Sequence, residues 1–307
     1  MTRSIRLAIT LGDPRGIGPE VTRAVLGDGL GDGVEVTVIG AKEQMATMRA
    51  DRREPVGSWR SGPRGVAQTR AAAAGLITGR AVERAAALAL AGEVDAIVTA
   101  PAEKHALHLA GFPFPGHTEW LAHLAGGVDV AMMLASDRLR VVLVTTHMPL
   151  RDVPLVLTTD RVVRTGEVTL TALRDWFGIA EPRLAVCALN PHAGEQGLFG
   201  DEEQRVLAPA VVRLGATGPI PADTVFVRAM RGEFDAVLAP YHDVGMTAIK
   251  VASFGEAVNV TLGLPFVRTS PDHGTAMDIA GTGRADPSSM RAAVALAIDL
   301  ARRSQSP

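Results

Sequence analysis

The sequence predicts an α/β fold with a largely parallel sheet, and two patterns lead to this prediction. Short runs of Val, Ile, Leu and Ala without polar alternation are typical of strands that are buried on both faces of a sheet. Longer Ala- and Leu-rich segments of helical period separate these runs along all 307 residues. Strand-like and helix-like segments that alternate in this way favour parallel strands joined by helices.

Eight short apolar segments are the predicted strands. Most of them consist of Val, Ile, Leu and Ala and are shorter than an ordinary helix. In chain order they span residues 7–10, 34–39, 96–99, 130–134, 141–145, 184–189, 236–239 and 258–261.

Seven segments between these strands are predicted helices, because their apolar residues recur at helical spacing. Residues 51–70 are rich in Arg, Gly, Pro and Ser without clear periodicity, so we expect a surface excursion there and not a domain linker. The predicted helices span residues 19–26, 79–91, 102–110, 119–125, 159–177, 202–214 and 288–303.

Composition and charge narrow the class of protein. The chain has 31 Lys and Arg against 33 Asp and Glu, and a net charge of −2 gives no electrostatic reason to expect nucleic acid or an anionic membrane as a partner. Its apolar runs are far shorter than the roughly 20 residues of a membrane span. The first residues show no signal-peptide pattern, so we expect a cytoplasmic protein. The single cysteine, Cys187, lies in an apolar run and is expected to be a buried, unreactive thiol.

A Gly-rich turn follows the first predicted strand at residues 12–20 (GDPRGIGPE). Pro19 suits the first position of a helix, and Glu20 suits the positive end of the helix dipole. Such a turn can receive an anion. It lacks the third glycine of the Rossmann fingerprint and the lysine of a Walker motif, so a tight turn and a ligand loop both remain open.

Three of the eight histidines share one context. His147, His192 and His242 each follow a predicted buried strand, at the sheet edge where α/β proteins bind ligands. Three imidazoles at one edge can form a metal site with a position open for substrate. Asp243 is then an orienting partner or a further ligand, although three unrelated loop histidines are the alternative. The histidines expected on helix surfaces are His105, His108 and His123.

Two further groups of side chains suit an anionic substrate. His117 and Thr118 begin a predicted helix, where they can hold a carboxylate or phosphate, although Thr118 can equally cap the helix. Lys250, Asn259 and Arg268 each lie at or near the end of a predicted element. A lysine, an amide and a guanidinium are donors that suit a phosphorylated or carboxylated molecule, although any one of them can be an ordinary surface residue.

The chain resembles the 4-hydroxythreonine-4-phosphate dehydrogenase family, within the wider isocitrate/isopropylmalate dehydrogenase-like fold. Residues 189–195 (LNPHAGE) and 259–265 (NVTLGLP) are the most specific matches, and residues 272–283 (DHGTAMDIAGTG) resemble the segment that holds the adenosine part of a nicotinamide dinucleotide. The other matching segments are residues 12–20, 116–119, 145–150, 218–226 and 241–250.

The resemblance implies two α/β/α domains with the active site in the cleft between them. The cofactor-side domain is expected to comprise residues 1–125 with 260–307. The domain of metal binding, substrate binding and dimerisation is expected to comprise residues 126–259. The family also implies a homodimer in which metal ligands come from both subunits, and we expect His242 to be the histidine that comes from the partner.

The resemblance also assigns roles to individual residues. The metal ligands are His147, His192 and His242. The substrate-binding residues are His117, Thr118, Lys250, Asn259 and Arg268. The candidate catalytic groups are Lys250, Asp243 and Asp223. The cofactor-binding residues are His273, Gly274, Thr275, Ala276, Asp278 and Asp286.

The implied reaction is NAD- or NADP-dependent oxidation of 4-phosphooxy-threonine at its C3 hydroxyl, followed by decarboxylation to 3-amino-2-oxopropyl phosphate in vitamin B6 biosynthesis. A divalent ion suits this chemistry, since it favours loss of the hydroxyl proton and polarises the carbonyl that forms. The expected ion is zinc, with magnesium, manganese and cobalt as alternatives.

Two departures from the family pattern bear on the substrate: Val244 stands where Gln is usual, and Arg15 where Ala is usual. A related four-carbon phospho-acid, 4-phospho-D-threonate or 4-phospho-D-erythronate, is therefore the alternative substrate. A metal-dependent hydrolase or aldolase is the alternative of a different class, since it needs the same histidines and anion donors. A non-catalytic binding module is a further alternative.

Overall fold

The computed structural model describes residues 3–60, 67–253 and 256–305. The chain forms two compact units, the first from Met1–Val128 with Leu264–Pro307 and the second from Asp129–Gly263. The strands are β1 (Ile5–Thr10), β2 (Val34–Ala41), β3 (Arg52–Gly57), β4 (Ala96–Thr99), β5 (Ala131–Ala135), β6 (Arg140–Leu143), β7 (Leu184–Cys187), β8 (Thr217–Ile220), β9 (Ala236–Ala239), β10 (Val258–Leu262) and β11 (Val267–Pro271).

Helices connect most of these strands. The α-helices are α1 (Gly18–Asp28), α2 (Lys42–Met45), α3 (Ala67–Leu90), α4 (Lys104–Leu109), α5 (His117–Leu124), α6 (Val153–Val156), α7 (Thr159–Asp175), α8 (Ala208–Leu214), α9 (Ala222–Met230), α10 (His242–Ser253) and α11 (Ser288–Ser304). The shorter turns are a 3₁₀ turn at Leu150–Asp152, a turn at Pro191–Gly197 and a π-helical turn at Glu203–Leu207.

The first unit contains a parallel sheet with the strand order β3-β2-β1-β4-β11. β1 is central, and its Leu7 lies opposite Val36 of β2 and Ala96 of β4. Helices α3 and α11 pack on β1 and β4, which explains why the predicted strands at residues 7–10 and 96–99 show no polar alternation. Because parallel strands point the same way, the segments that follow β1, β4 and β11 begin at one edge of the sheet.

The second unit contains the strand order β10-β5-β6-β9-β7-β8. β6, β9, β7 and β8 pair in parallel, as expected, whereas β5 pairs antiparallel with both β6 and β10. A tight turn joins β5 to β6, with the Ser136 N–H donating to the Leu139 carbonyl at 2.9 Å. A connection this short allows only an antiparallel pair.

All eight predicted strands are present, but the sequence did not predict β3, β8 or β11. The surface excursion expected at residues 51–70 is partly wrong, since Arg52–Gly57 forms β3 and α3 begins at Ala67; residues 61–66 lie outside the described residues. β3 pairs with β2 at the end of the strand order and is rich in charged residues, as exposed edge strands often are.

Two other expectations can be compared with the structure. Cys187 is fully buried, as expected, and burial raises the pKa of its thiol to about 12, which disfavours the thiolate. No helix in the described ranges has both the length and the apolar character that spanning a membrane requires.

Candidate active site

Two of the three strand-end histidines lie side by side in the second unit. His147 follows β6, and His242 opens α10 just after the neighbouring strand β9. Their ring centroids are 5.4 Å apart. Two imidazoles bound to one zinc ion at about 2.0–2.1 Å would have centroids roughly 5 Å apart. The spacing of the pair therefore fits two ligands of one ion.

Asp243 contacts the second histidine of this pair. Its Oδ1 lies 2.7 Å from His242 Nδ1. A carboxylate on Nδ1 fixes the orientation of the ring and leaves Nε2 for another partner, which is the usual environment of a metal-binding histidine. Of the two roles that the sequence left open for Asp243, this contact favours the orienting one.

His192 is not part of this pair. It lies in the turn Pro191–Gly197, which follows β7. Within the described ranges, no three His, Cys, Asp or Glu side chains come together as a group that could hold a metal ion. The expectation that His242 is the histidine supplied by the partner subunit does not fit this geometry, because His147 and His242 of one chain are neighbours.

A buried guanidinium lies in the first unit. Arg268 on β11 is only 3% exposed, and its Nε donates to Thr99 Oγ1 on β4 at 3.1 Å. Burial lowers the pKa of Arg268 to about 10, and the negative charge of Glu119 acts in the opposite direction. The side chain stays a cation at neutral pH and is held in place by a hydroxyl oxygen.

His117 in the same unit has an open nitrogen. Its Nε2 is buried and has no hydrogen-bond partner. Burial first, and then the positive charges of Arg268 and Lys104, lower the pKa of His117 to about 3. A neutral imidazole near two cations is suited to an anion, which would give Nε2 a partner and offset the positive charge.

The sequence allowed Thr118 to cap α5, but in the structure it does not. Gly116 is the N-cap residue and makes no side-chain capping bond, while Thr118 is the second residue of the helix. Lys104, which opens α4, is a residue that the sequence reasoning missed. A single lysine on an exposed helix carries no sequence signal, and only the fold shows that its charge reaches His117.

The other proposed substrate-binding and catalytic residues lie in the second unit. Lys250 is exposed on α10, about two turns after His242. Asn259 on β10 has a buried Oδ1 without a hydrogen-bond partner. Asp223 is exposed at the start of α9, a helix that packs against the turn of His192. Asn259 thus resembles His117 in offering a buried polar atom that is still open.

The proposed cofactor segment connects β11 to α11, and the Gly-rich turn of the first strand supports it. The Ile17 N–H donates to the Thr275 carbonyl at 2.9 Å, and the Gly281 N–H donates to Glu20 at 3.0 Å. A Cβ atom on Gly16 would lie 2.7 Å from the Thr275 oxygen. The turn at residues 12–20 therefore holds the segment, and Gly16 lets the two backbones approach.

Two residues of this segment, His273 and Asp286, have defined environments. His273 Nδ1 lies 3.0 Å from the Gly274 carbonyl, and its Nε2 is buried without a partner. Asp286 accepts from the Ser288 N–H at 2.9 Å, and this backbone hydrogen bond lowers its pKa. Asp286 thus accepts the first N–H of α11, whereas His273 offers an open nitrogen. The remaining proposed cofactor residues of the segment are Gly274, Thr275, Ala276 and Asp278.

These features define an α/β protein with the fold of β-decarboxylating dehydrogenases. A solved structure of such an enzyme from Thermococcus kodakarensis matches 96% of this chain and 83% of its own, with a TM-score of 0.52 at 14% identity. The chain belongs to the family described as pyridoxal phosphate biosynthetic protein PdxA, whose family model matches residues 25–297.

Similar proteins within the family have two different names. A 4-hydroxythreonine-4-phosphate dehydrogenase from Geobacter metallireducens is 45% identical and covers 97% of this chain and 96% of its own. A D-threonate 4-phosphate dehydrogenase from Salmonella typhimurium is 44% identical, covering 96% and 98%. The solved structure of 4-hydroxythreonine-4-phosphate dehydrogenase from Klebsiella pneumoniae has a TM-score of 0.85 at 42% identity, covering 97% and 100%.

Proposed function

We propose that the chain oxidises and decarboxylates 4-phosphooxy-threonine to 3-amino-2-oxopropyl phosphate, using NAD or NADP and a divalent metal ion. The observation that carries the proposal is the His147–His242 pair, with Asp243 on Nδ1 of His242. This donor set suits a divalent metal, and it occurs in a chain that is 45% identical over nearly its full length to a protein named 4-hydroxythreonine-4-phosphate dehydrogenase.

In this proposal His147, His192 and His242 hold the metal, with zinc as the expected ion. The ion would supply a Lewis acid for the oxygen at the reacting carbon, and the dinucleotide would supply the hydride acceptor. Asp243 keeps His242 in the tautomer that presents Nε2. Lys250 and Asp223 are the proposed groups for proton transfer, in keeping with their exposed positions in the second unit.

Substrate binding is assigned to His117, Thr118, Lys250, Asn259 and Arg268. The buried cation of Arg268 and the open nitrogen of His117 support binding of a phosphate or carboxylate. Cofactor binding is assigned to the segment of residues 272–287, with the first unit as the cofactor-side unit. Its residues are His273, Gly274, Thr275, Ala276, Asp278 and Asp286.

The proposal includes a homodimer in the cytoplasm, with the metal site shared between subunits. Seven of the ten large apolar side chains that are exposed in the described ranges belong to the second unit, which supports its role in dimerisation. The free, buried Cys187 suits a reducing compartment.

The second candidate substrate is D-threonate 4-phosphate, because the identity to an enzyme of that name is 44%, almost the same as the 45% above. Val244 was a candidate for setting this choice. In the structure, however, its side chain packs against the apolar core of the second unit. Val244 is therefore better explained by packing than by substrate contact.

A substrate panel tests the proposal. Reduced-nicotinamide absorbance is followed with 4-phosphooxy-threonine, D-threonate 4-phosphate and D-erythronate 4-phosphate, each with NAD and NADP. We expect the highest kcat/KM with 4-phosphooxy-threonine, loss of turnover after chelation and recovery with zinc, cobalt, manganese or magnesium. Full activity in metal-free protein would exclude the metal site. Reaction of the substrate without reduction of the dinucleotide would indicate a hydrolase or aldolase.

A further inference from the structure

We propose that Glu203 is a positioning residue for His192, and that this buried carboxylate determines how well His192 contributes to metal binding. The inference rests on the proposed function, in which His192 is a metal ligand. Glu203 is 3% exposed and opens the π-helical turn Glu203–Leu207, eleven residues after His192 in the chain.

The carboxylate holds the two residues that precede the turn of His192. Glu203 Oε1 accepts from the Leu189 N–H at 2.9 Å and from the Asn190 N–H at 2.7 Å. Its Oε2 accepts from Asn190 Nδ2 at 3.0 Å. Three donors from adjacent residues meet one carboxylate, so the end of β7 and the start of the turn are fixed against it.

The turn itself needs such support. His192 has φ 51° and ψ 29°, and the four residues after it also have positive φ. Residues other than glycine adopt this left-handed conformation only at a cost, and it persists where the surroundings enforce it. Gly194 of this turn lies against the Glu203 carboxylate, because a Cβ atom on Gly194 would be 2.8 Å from Glu203 Oε2.

The charge of Glu203 is balanced by these N–H groups. Its negative charge contributes to the raised pKa of the Cys187 thiol. Burial of a carboxylate is unfavourable unless hydrogen bonds satisfy it. An apolar residue at this position would in turn leave three donors without an acceptor, so the contact serves to hold the backbone that carries His192.

Glu203→Gln tests the proposal with little change in shape. The new amide keeps one acceptor oxygen but places an NH₂ group against Asn190 Nδ2, where donor faces donor. Glu202→Gln is the matched control, because Glu202 is the neighbouring residue and, among the residues that the structure describes, accepts only from Asn190 Nδ2, at 2.8 Å. His192→Ala is the reference for loss of the ligand.

Three measurements are made on full-length metal-free protein: the Kd for cobalt(II), the visible spectrum of the cobalt form, and amide hydrogen exchange over residues 189–196. For Glu203→Gln we expect a Kd about ten- to a hundred-fold higher, a cobalt spectrum shifted towards that of His192→Ala, and faster exchange. Glu202→Gln should match wild type. General loss of stability would not change the cobalt spectrum of the folded protein.

The outcomes separate this inference from the proposed function. If Glu203→Gln matches wild type in cobalt affinity and exchange while His192→Ala binds cobalt poorly, the role of Glu203 is overturned and the metal site stands. If His192→Ala binds cobalt as wild type does, the metal role of His192 fails. Should Glu203→Gln not fold, Asn190→Ala removes one of the three donors, and wild-type exchange and spectrum in that variant would also overturn the inference.

Discussion

Replacing Arg268 with methionine should lower activity without lowering stability. The guanidinium is 3% exposed, and burial lowers its pKa from 12.5 to about 10. This pKa difference means that burial disfavours the charged form of Arg268 by roughly 3 kcal/mol. Methionine relieves that cost and gives up the two hydrogen bonds from the guanidinium to Thr99 Oγ1, each worth about 1 kcal/mol. We therefore expect the free energy of unfolding to stay within about 1 kcal/mol of wild type.

The effect on catalysis should be large and in the opposite direction. A hydrogen bond from a charged group to a partly desolvated anion is worth about 1.5–3 kcal/mol, which is roughly a ten- to hundred-fold loss of kcat/KM. The KM for the dinucleotide should not change. Urea unfolding gives the stability, and reduced-nicotinamide absorbance gives the kinetics.

Arg291→Met is the matched control, because Arg291 lies in the same unit but is exposed and pairs with Asp28 at 2.6 Å. Exposed pairs contribute about 0–1 kcal/mol, so this variant should resemble wild type in both assays. Arg268→Lys keeps the charge without the planar fork and should be intermediate. If Arg268→Met unfolds more than about 2 kcal/mol more easily and retains kcat/KM, the arginine is structural and the reasoning is refuted.

Three further predictions follow from the site. Mixed under subunit exchange, His192→Ala and His242→Ala should recover up to about a quarter of wild-type activity, since half the dimers are mixed and each has one intact site. A mixture of His147→Ala and His242→Ala should recover none, because in the mixed dimer each chain's own His147–His242 pair carries one lesion and neither site is intact; recovery from this mixture alone would contradict the arrangement. Gly16→Ala should raise the KM for the dinucleotide, because its Cβ would meet a carbonyl at 2.7 Å, and an unchanged KM would count against it. Because the pKa of His117 is lowered from 6.5 to about 3 in the folded protein, its ring is neutral in the folded state but protonated in the unfolded chain between these pH values, and unfolding takes up a proton. The free energy of unfolding of wild type should therefore fall more steeply with falling pH than that of His117→Gln. Parallel pH–stability curves for the two proteins would exclude this.

The buried parallel strands could be predicted from the sequence, whereas the direction of each strand and the strands at the ends of the sheet order could not. β4 and β9 are buried at every position and β1 at all but Arg6, because helices or neighbouring strands cover them. Strand direction leaves no trace in such runs, so the antiparallel pairing of β5 was not predicted. β11 was missed because Arg268 interrupts its apolar pattern. A buried charge in a strand is unfavourable unless it has a use, so this failure coincides with the proposed substrate site.

The candidate site was only partly predictable for similar reasons. The position after a buried parallel strand identified His147 and His242, because strand ends of one direction share an edge. Nothing comparable indicates that the residues from His192 to Gln196 adopt left-handed conformations, since only one of the five is glycine. Glu203 also carried no signal, because a glutamate in a helix is ordinarily exposed.

The rigidity of the His192 turn bears directly on where the third metal ligand comes from. If Glu203 fixes this turn, His192 cannot swing towards the His147–His242 pair of its own chain. In the proposed homodimer the third ligand of each pair is then the partner's His192, and the two sites are equivalent by symmetry. The exchange experiment and the cobalt titration test the same arrangement from two directions. If the mixture of His192→Ala and His242→Ala recovers activity, His192 of one subunit serves the metal site of the other. If Glu203→Gln also weakens cobalt binding, that site depends on the turn being held rigid.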